Sequence, residues 1–148
     1  MLNIGGLTPF TTIDYPGKLA AVIFCQGCPW HCGYCHNQHL LQVKKQGVIT
    51  WQDLLQLLQQ RRGLLDAVVF SGGEPTMQPT LPEALQTIRR MGFLIGLHTG
   101  GPYPEQLSAC LPHLDWVGMD LKAPFELYDQ ITGVVGSGTL AEQSAELL

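Results

Sequence analysis

Four short apolar runs recur along the chain, and each ends in a polar or glycine-rich cluster. Leu19-Ala-Ala-Val-Ile-Phe24 runs into Cys25, and Ala67-Val-Val-Phe70 into Ser71-Gly72-Gly73. Phe93-Leu-Ile-Gly-Leu97 runs into His98-Thr-Gly-Gly101, and Trp116-Val-Gly-Met119 into Asp120-Leu-Lys-Ala-Pro124. Runs this short and continuous predict strands buried on both faces. Helical periods lie between and after them. Thr50 caps a predicted helix with Trp51, Leu54, Leu55 and Leu58 on one stripe, and Gly63 stops it after Arg61-Arg62. Thr80-Leu-Pro-Glu83 reads as a capping box opening a helix through Ala84, Leu85, Ile88 and Met91, closed by Gly92. Pro104 to Leu111 predicts a shorter third helix. A further capping box, Thr139-Leu-Ala-Glu142, predicts a helix still running at Leu148.

Alternating strands and helices predict an α/β fold with parallel strands and right-handed crossovers. In such sheets and barrels, ligands bind beyond the carboxyl ends of the strands. Every polar or glycine-rich cluster named above lies at such an end, which predicts one composite site.

Composition narrows the classes. The 148 residues are 45% hydrophobic, too apolar for a disordered chain, and only 14% are charged. Eight Lys+Arg against twelve Asp+Glu give a net charge of −4. With no basic cluster, this argues against nucleic-acid binding. No window approaches the ~18 uninterrupted apolar residues of a membrane span. The chain is too short for a closed eight-unit barrel of ~250 residues. One domain, residues 1–148, is expected, without repeats or linkers.

Four of the five cysteines fall within eleven positions, in Cys25-Gln-Gly-Cys28-Pro-Trp-His-Cys32-Gly-Tyr-Cys35-His-Asn37; the fifth is Cys110. An odd count in one tight cluster, with no export signal, is a poor disulfide framework and points to metal binding in the cytoplasm. Cys28-x3-Cys32-x2-Cys35 places three thiols on one loop. Three ligands on a four-iron cubane leave one iron open, whereas a closed cluster needs four. The competing reading is a zinc knuckle on Cys25, Cys28, Cys32 and Cys35, although zinc ribbons usually separate their two pairs by more residues. Cys110 is expected in the core.

The triad with Tyr34 before its last cysteine resembles the signature of the radical S-adenosyl-L-methionine (SAM) superfamily. A longer string is more specific: Gly6-Leu-Thr-Pro-Phe-Thr-Thr-Ile-Asp14-Tyr-Pro-Gly-Lys18, then Cys-Gln-Gly-Cys-Pro-Trp and Tyr-Cys-His-Asn. It resembles the activating proteins of anaerobic ribonucleoside-triphosphate reductase, relatives of pyruvate formate-lyase activating enzyme. The resemblance runs to about Thr132.

It implies that Cys28, Cys32 and Cys35 ligate a 4Fe–4S cluster whose open iron chelates SAM. One electron then yields methionine and a 5′-deoxyadenosyl radical, which takes hydrogen from a glycine of a partner enzyme. It places Tyr34 near the adenine, and Gly72, Gly73 and Glu74 at the SAM amino group. Asp120 and Lys122 would hold its methionyl end. His98 stands where relatives commonly have Asp, as Gly100 stands for Asn; a hydrogen-bonding substitute and a satisfied strand-end histidine are both open. His36 matches a family position that is not a ligand, and His31 and His39 are expected to face solvent. Implied partners are a glycyl-radical enzyme and a flavodoxin- or ferredoxin-type electron donor. The implied fold is a partial (β/α) barrel with about four parallel β/α units. Since the family's barrel has six units, the chain is expected to be C-terminally truncated.

Overall fold

The computed structural model describes residues 1–43 and 46–148. Five strands form one sheet in the order β1-β2-β3-β4-β5. They are β1 (Ile4–Thr11), β2 (Ala20–Cys25), β3 (Ala67–Gly72), β4 (Leu94–Thr99) and β5 (Trp116–Met119). The last four are parallel and correspond to the four apolar runs, with β2, β3 and β4 reaching one or two residues further into the polar clusters. The helices α1 (Trp51–Gln60), α2 (Leu81–Arg90) and α3 (Pro104–Cys110) are the three crossovers. They are followed by α4 (Tyr128–Thr132) and α5 (Ser137–Glu146).

Strand alternation sorts the apolar residues to two faces. Ala21, Ile23 and Cys25 of β2 and Val68 and Phe70 of β3 meet Leu54 and Leu58 of α1, Leu85 and Ile88 of α2, and Leu107 of α3 in the main core. Ala20, Val22, Ala67 and Val69 face the other way and pack under Tyr15 and Trp116. Helices therefore cover one face of the sheet. A turn closed by Lys18 N–H donating to the Tyr15 carbonyl at 3.2 Å plugs part of the other.

Three local expectations are corrected. Residues 4–11, where the sequence reading placed no strand, form β1, which pairs antiparallel with β2. Gly5 and Gly6 weaken its strand signal, and its burial pattern lacks the continuous apolar run that marks the inner strands. The Thr80 box is not formed. Thr80 has ψ near 2°, and its side chain accepts no capping bond. Thr139 lies within α5 rather than before it. That helix starts after Gly136, and the Asp129 carboxylate accepts from Gly136 N–H at 3.1 Å and from the Ser137 hydroxyl at 3.2 Å. Thr50 caps α1 as expected, accepting from Asp53 N–H at 3.1 Å.

Candidate functional site

The carboxyl ends of the parallel strands open into one cavity of about 430 Å³. That lies within the ~300–1,000 Å³ usual for small-molecule sites. Cys28, Cys32 and Cys35, Tyr34, Gly72, Gly73 and Glu74, His98, and Asp120 and Lys122 all line it. The expected site residues are thus brought together by chain topology, although they span most of the sequence.

The three thiols are free and half-buried on a loop that leaves β2. Burial pushes the Cys28 thiol up to about 11, with the charges of Glu74, Cys32 and Cys35 adding to it against a backbone hydrogen bond at Trp30. Burial also raises Cys32, opposed by the nearby Lys122 charge. Iron binding would take the protons of Cys28 and Cys32 and neutralise the resulting thiolates. Among the described residues, no three His, Cys, Asp or Glu side chains converge on a point fit for a single ion. A cubane needs no such convergence, because each ligated iron takes its own thiolate. The residues therefore fit a cluster better than one zinc ion. Cys25 argues the same way. It is fully buried in the helix-side core among Ile4, Ile23 and Phe70, apart from the cavity. The four-cysteine zinc knuckle is not formed.

Gly72 has φ of +116°, and a Cβ there would strike the Cys25 backbone; a Cβ on Gly73 would strike the Gly27 carbonyl. The glycines let the β3 end pack directly against the start of the cysteine loop. Gly73 N–H donates to the Cys25 carbonyl at 2.9 Å, and Glu74 N–H to the Gly27 carbonyl at 2.8 Å.

Glu74 is 2% exposed. Its Oε1 accepts from Thr76 N–H at 3.0 Å, the Thr76 hydroxyl at 2.5 Å and the Thr99 hydroxyl at 2.8 Å; its Oε2 accepts from Gly100 N–H at 3.0 Å. Burial raises its pKa while these donors lower it, and burial prevails. The carboxylate clasps the β3 end to the β4 end. Oε2, with one donor, keeps acceptor capacity.

Asp120 and Lys122 form an ion pair at 2.5 Å. The two partners are unequally placed, with side-chain exposures of 64% and 10%. Burial disfavours the ammonium, but the Asp120 hydrogen bond and charge outweigh it and hold Lys122 protonated. Its Nζ lies 5.7 Å from the Trp30 ring centre and 5.5 Å from that of Tyr34, which is itself half exposed. Strand pairing ends at Met119, so the pair stands on the loop beyond β5.

His98 is a satisfied strand-end residue. Its Nε2 lies 3.1 Å from the Asp14 carbonyl, which can only accept, so Nε2 carries the proton and Nδ1 accepts from the Ser71 hydroxyl at 3.3 Å. Its ring meets Trp116 edge-on, and Trp116 stacks at a tilt on Tyr15. The Asp14–Lys18 turn therefore backs two residues that line the cavity, His98 and Trp116. His31, His36 and His39 are exposed, as expected for the first and last.

Sequence reasoning missed Trp30, Thr99 and Tyr128, and it noted Gly100 only as a departure from relatives. Trp30 carried a usable signal. A tryptophan inside a polar cysteine loop has to find an apolar seat, and here it is 3% exposed against Tyr128.

A parallel sheet that presents a three-cysteine loop, a glycine turn and an acid–lysine pair at its carboxyl ends defines a class. The sequence model for the radical SAM superfamily matches residues 22–145, and the chain belongs to that superfamily. Within it, the chain is related to glycyl-radical enzyme activating enzymes. It is 34% identical over 130 residues to a protein of Methanocaldococcus jannaschii named for that activity, covering 86% of this chain and 53% of that protein. It is 32% identical over 127 residues to the pyruvate formate-lyase-activating enzyme of Clostridium pasteurianum, covering 82% and 53%. The chain thus spans about half the length of these curated relatives. The crystal structure of QueE from Escherichia coli shares the fold, with a TM-score of 0.62 and 23% identity over 80% of this chain and 59% of that one.

Proposed function

We propose that this chain forms the cluster- and SAM-binding core of a glycyl-radical enzyme activating enzyme. The observation that carries the reading is the meeting of Cys28, Cys32 and Cys35 with the Gly72–Glu74 turn and the Asp120–Lys122 pair in one cavity. A 4Fe–4S cluster held there would supply the electron that cleaves SAM to methionine and a 5′-deoxyadenosyl radical.

The chain's own residues supply position and charge. Cys28, Cys32 and Cys35 hold the cluster at the cavity wall. Gly72 and Gly73 bring backbone close to the SAM amino group, and Glu74 fixes that turn and offers Oε2 as an acceptor. Lys122 meets the SAM carboxylate, and Asp120 holds the ammonium charged. Tyr34 presents a ring toward the adenine. The apolar walls built by Trp30, Trp116 and Met119 limit water in the cavity.

For the target we favour anaerobic ribonucleoside-triphosphate reductase, on the motif string from Gly6 to Asn37. Pyruvate formate-lyase is the second reading, because the Clostridium pasteurianum relative is named for it. The electron donor would be a flavodoxin or ferredoxin, and the setting the cytoplasm. Among the described residues, no helix is long and apolar enough to cross a membrane.

The test is anaerobic reconstitution with iron and sulfide, followed by dithionite and SAM. The reading expects 5′-deoxyadenosine from the parent chain and none from Cys32→Ala. A glycyl radical should appear by EPR when the correct reductase or lyase is added. Cluster uptake without SAM cleavage would overturn the reading.

A further inference from the structure

Trp30 joins the loops of the site. It stands between two ligand cysteines, yet it is almost wholly buried. Its indole meets Tyr128 edge-on, with ring centres 6.0 Å apart at 79°. It also packs against Gly100, where a Cβ would overlap the ring, and lies under the Lys122 ammonium at 5.7 Å. Each neighbour is tied to part of the site. Gly100 N–H donates to Glu74. The Tyr128 hydroxyl accepts from Lys122 N–H at 3.0 Å. Beside Trp30, His31 N–H donates to the Thr132 carbonyl at 2.9 Å. One ring therefore touches the cysteine loop, the β4 end, the loop beyond β5 and helix α4.

A buried aromatic face under an ammonium attracts the cation through the ring quadrupole, and the attraction grows as water is excluded. A second ring, Tyr34, lies on the same ammonium but is half exposed. Asp120 is largely exposed and adds charge rather than enclosure. Trp30 is the well-fixed side of the lysine's surroundings.

We propose that Trp30 is a positioning residue, and that its indole face sets the Lys122 ammonium in the cavity and so determines how tightly the site takes the carboxylate of SAM. This rests on the functional reading above. It adds that the Cys28–Cys35 loop controls the binding cation as well as the cluster.

The experiment uses the reconstituted full chain with Trp30→Leu and Trp30→Phe. Melting temperature and iron and sulfide per chain are measured, together with SAM affinity by anaerobic equilibrium binding. Leucine fills apolar volume without a π face, whereas phenylalanine restores a smaller one. Trp30→Leu should keep its fold and cluster content while binding SAM about 5- to 10-fold more weakly, the range expected for a partly desolvated cation–π contact. Trp30→Phe should recover only part of the loss, binding SAM about 2- to 3-fold more weakly than the parent. In a Lys122→Met background, Trp30→Phe should have no further effect.

Folded Trp30→Leu protein that binds SAM as the parent does would overturn the proposal. Effects of Trp30→Phe and Lys122→Met that simply add would overturn it too. If Trp30→Leu does not fold, Trp30→Phe and the double variant decide alone. A parent chain that takes up neither cluster nor SAM would overturn the functional reading and this proposal together. A parent that binds both, beside unaffected variants, would overturn this proposal only.

Discussion

At the scale of single residues, buried polar groups decide the most. Glu74 accepts four hydrogen bonds, and the three from the Thr76 N–H, the Thr76 hydroxyl and the Thr99 hydroxyl are buried. Glu74→Ala leaves those donors unpaired, at a cost of about 1–3 kcal/mol for each fully buried one. Urea unfolding should therefore show a loss of about 3 kcal/mol or more. A loss under about 1 kcal/mol would mean that the clasp is dispensable. Cys110 gives a pH prediction. Burial, with the Glu74 charge second, pushes its thiol from 9.0 up to about 12. The raised value means that its contribution is fully present below pH 9.0 and lost as pH rises through about 12. Relative to Cys110→Ala, the parent's unfolding free energy should fall above pH 9 with a slope approaching about 1.4 kcal/mol per pH unit. Parallel pH profiles would contradict the assignment. The cysteine triad and Lys122 were legible in sequence because their spacing carries chemistry. The Glu74 clasp was not, since its donors, Thr76, Thr99 and Gly100, come from separate turns that meet only on folding.

At the scale of elements, continuous apolar runs identified the four parallel strands: β2, β3 and β4 are largely buried and leave no polar alternation to mislead, and β5, half-buried at the sheet edge, carries the same kind of run. β1 escaped notice because an edge strand paired on one side needs no such run and here carries two glycines. Capping signals were legible at one helix of three. The same Thr-x-x-acid pattern occurs before α1, before α2 and inside α5. Only Thr50 has an extended backbone, with ψ of 152°, that lets its hydroxyl reach back to Asp53 N–H. Thr50→Ala should therefore cost about 1 kcal/mol, and Thr80→Ala and Thr139→Ala much less, by chemical denaturation. Equal losses at all three sites would show that the hydroxyl geometry does not matter. Asp129 anchors the start of α5 through Gly136 N–H and the Ser137 hydroxyl, so Asp129→Ala should destabilise that helix where Thr139→Ala does not.

At the scale of the whole molecule, a mostly parallel sheet gathers residues from Cys28 to Lys122 around one opening. The sequence predicted that gathering from the rule that ligands lie beyond strand carboxyl ends, without any knowledge of distances. It could not show how the loops are held to one another. That depends on contacts such as Trp30 against Tyr128 and His98 against the Asp14 turn, between residues far apart in the chain. Family membership follows from the match over residues 22–145, and the chain spans about half the length of each relative.

The central claim is that three cysteines hold a cluster with one iron open to SAM. The most direct measurement is EPR of the anaerobically reconstituted, dithionite-reduced chain, recorded with and without SAM. The account predicts a reduced 4Fe–4S signal whose g values shift when SAM is added, and which is absent in Cys32→Ala. A cluster signal indifferent to SAM, or a chain that takes up zinc and no iron, would contradict it.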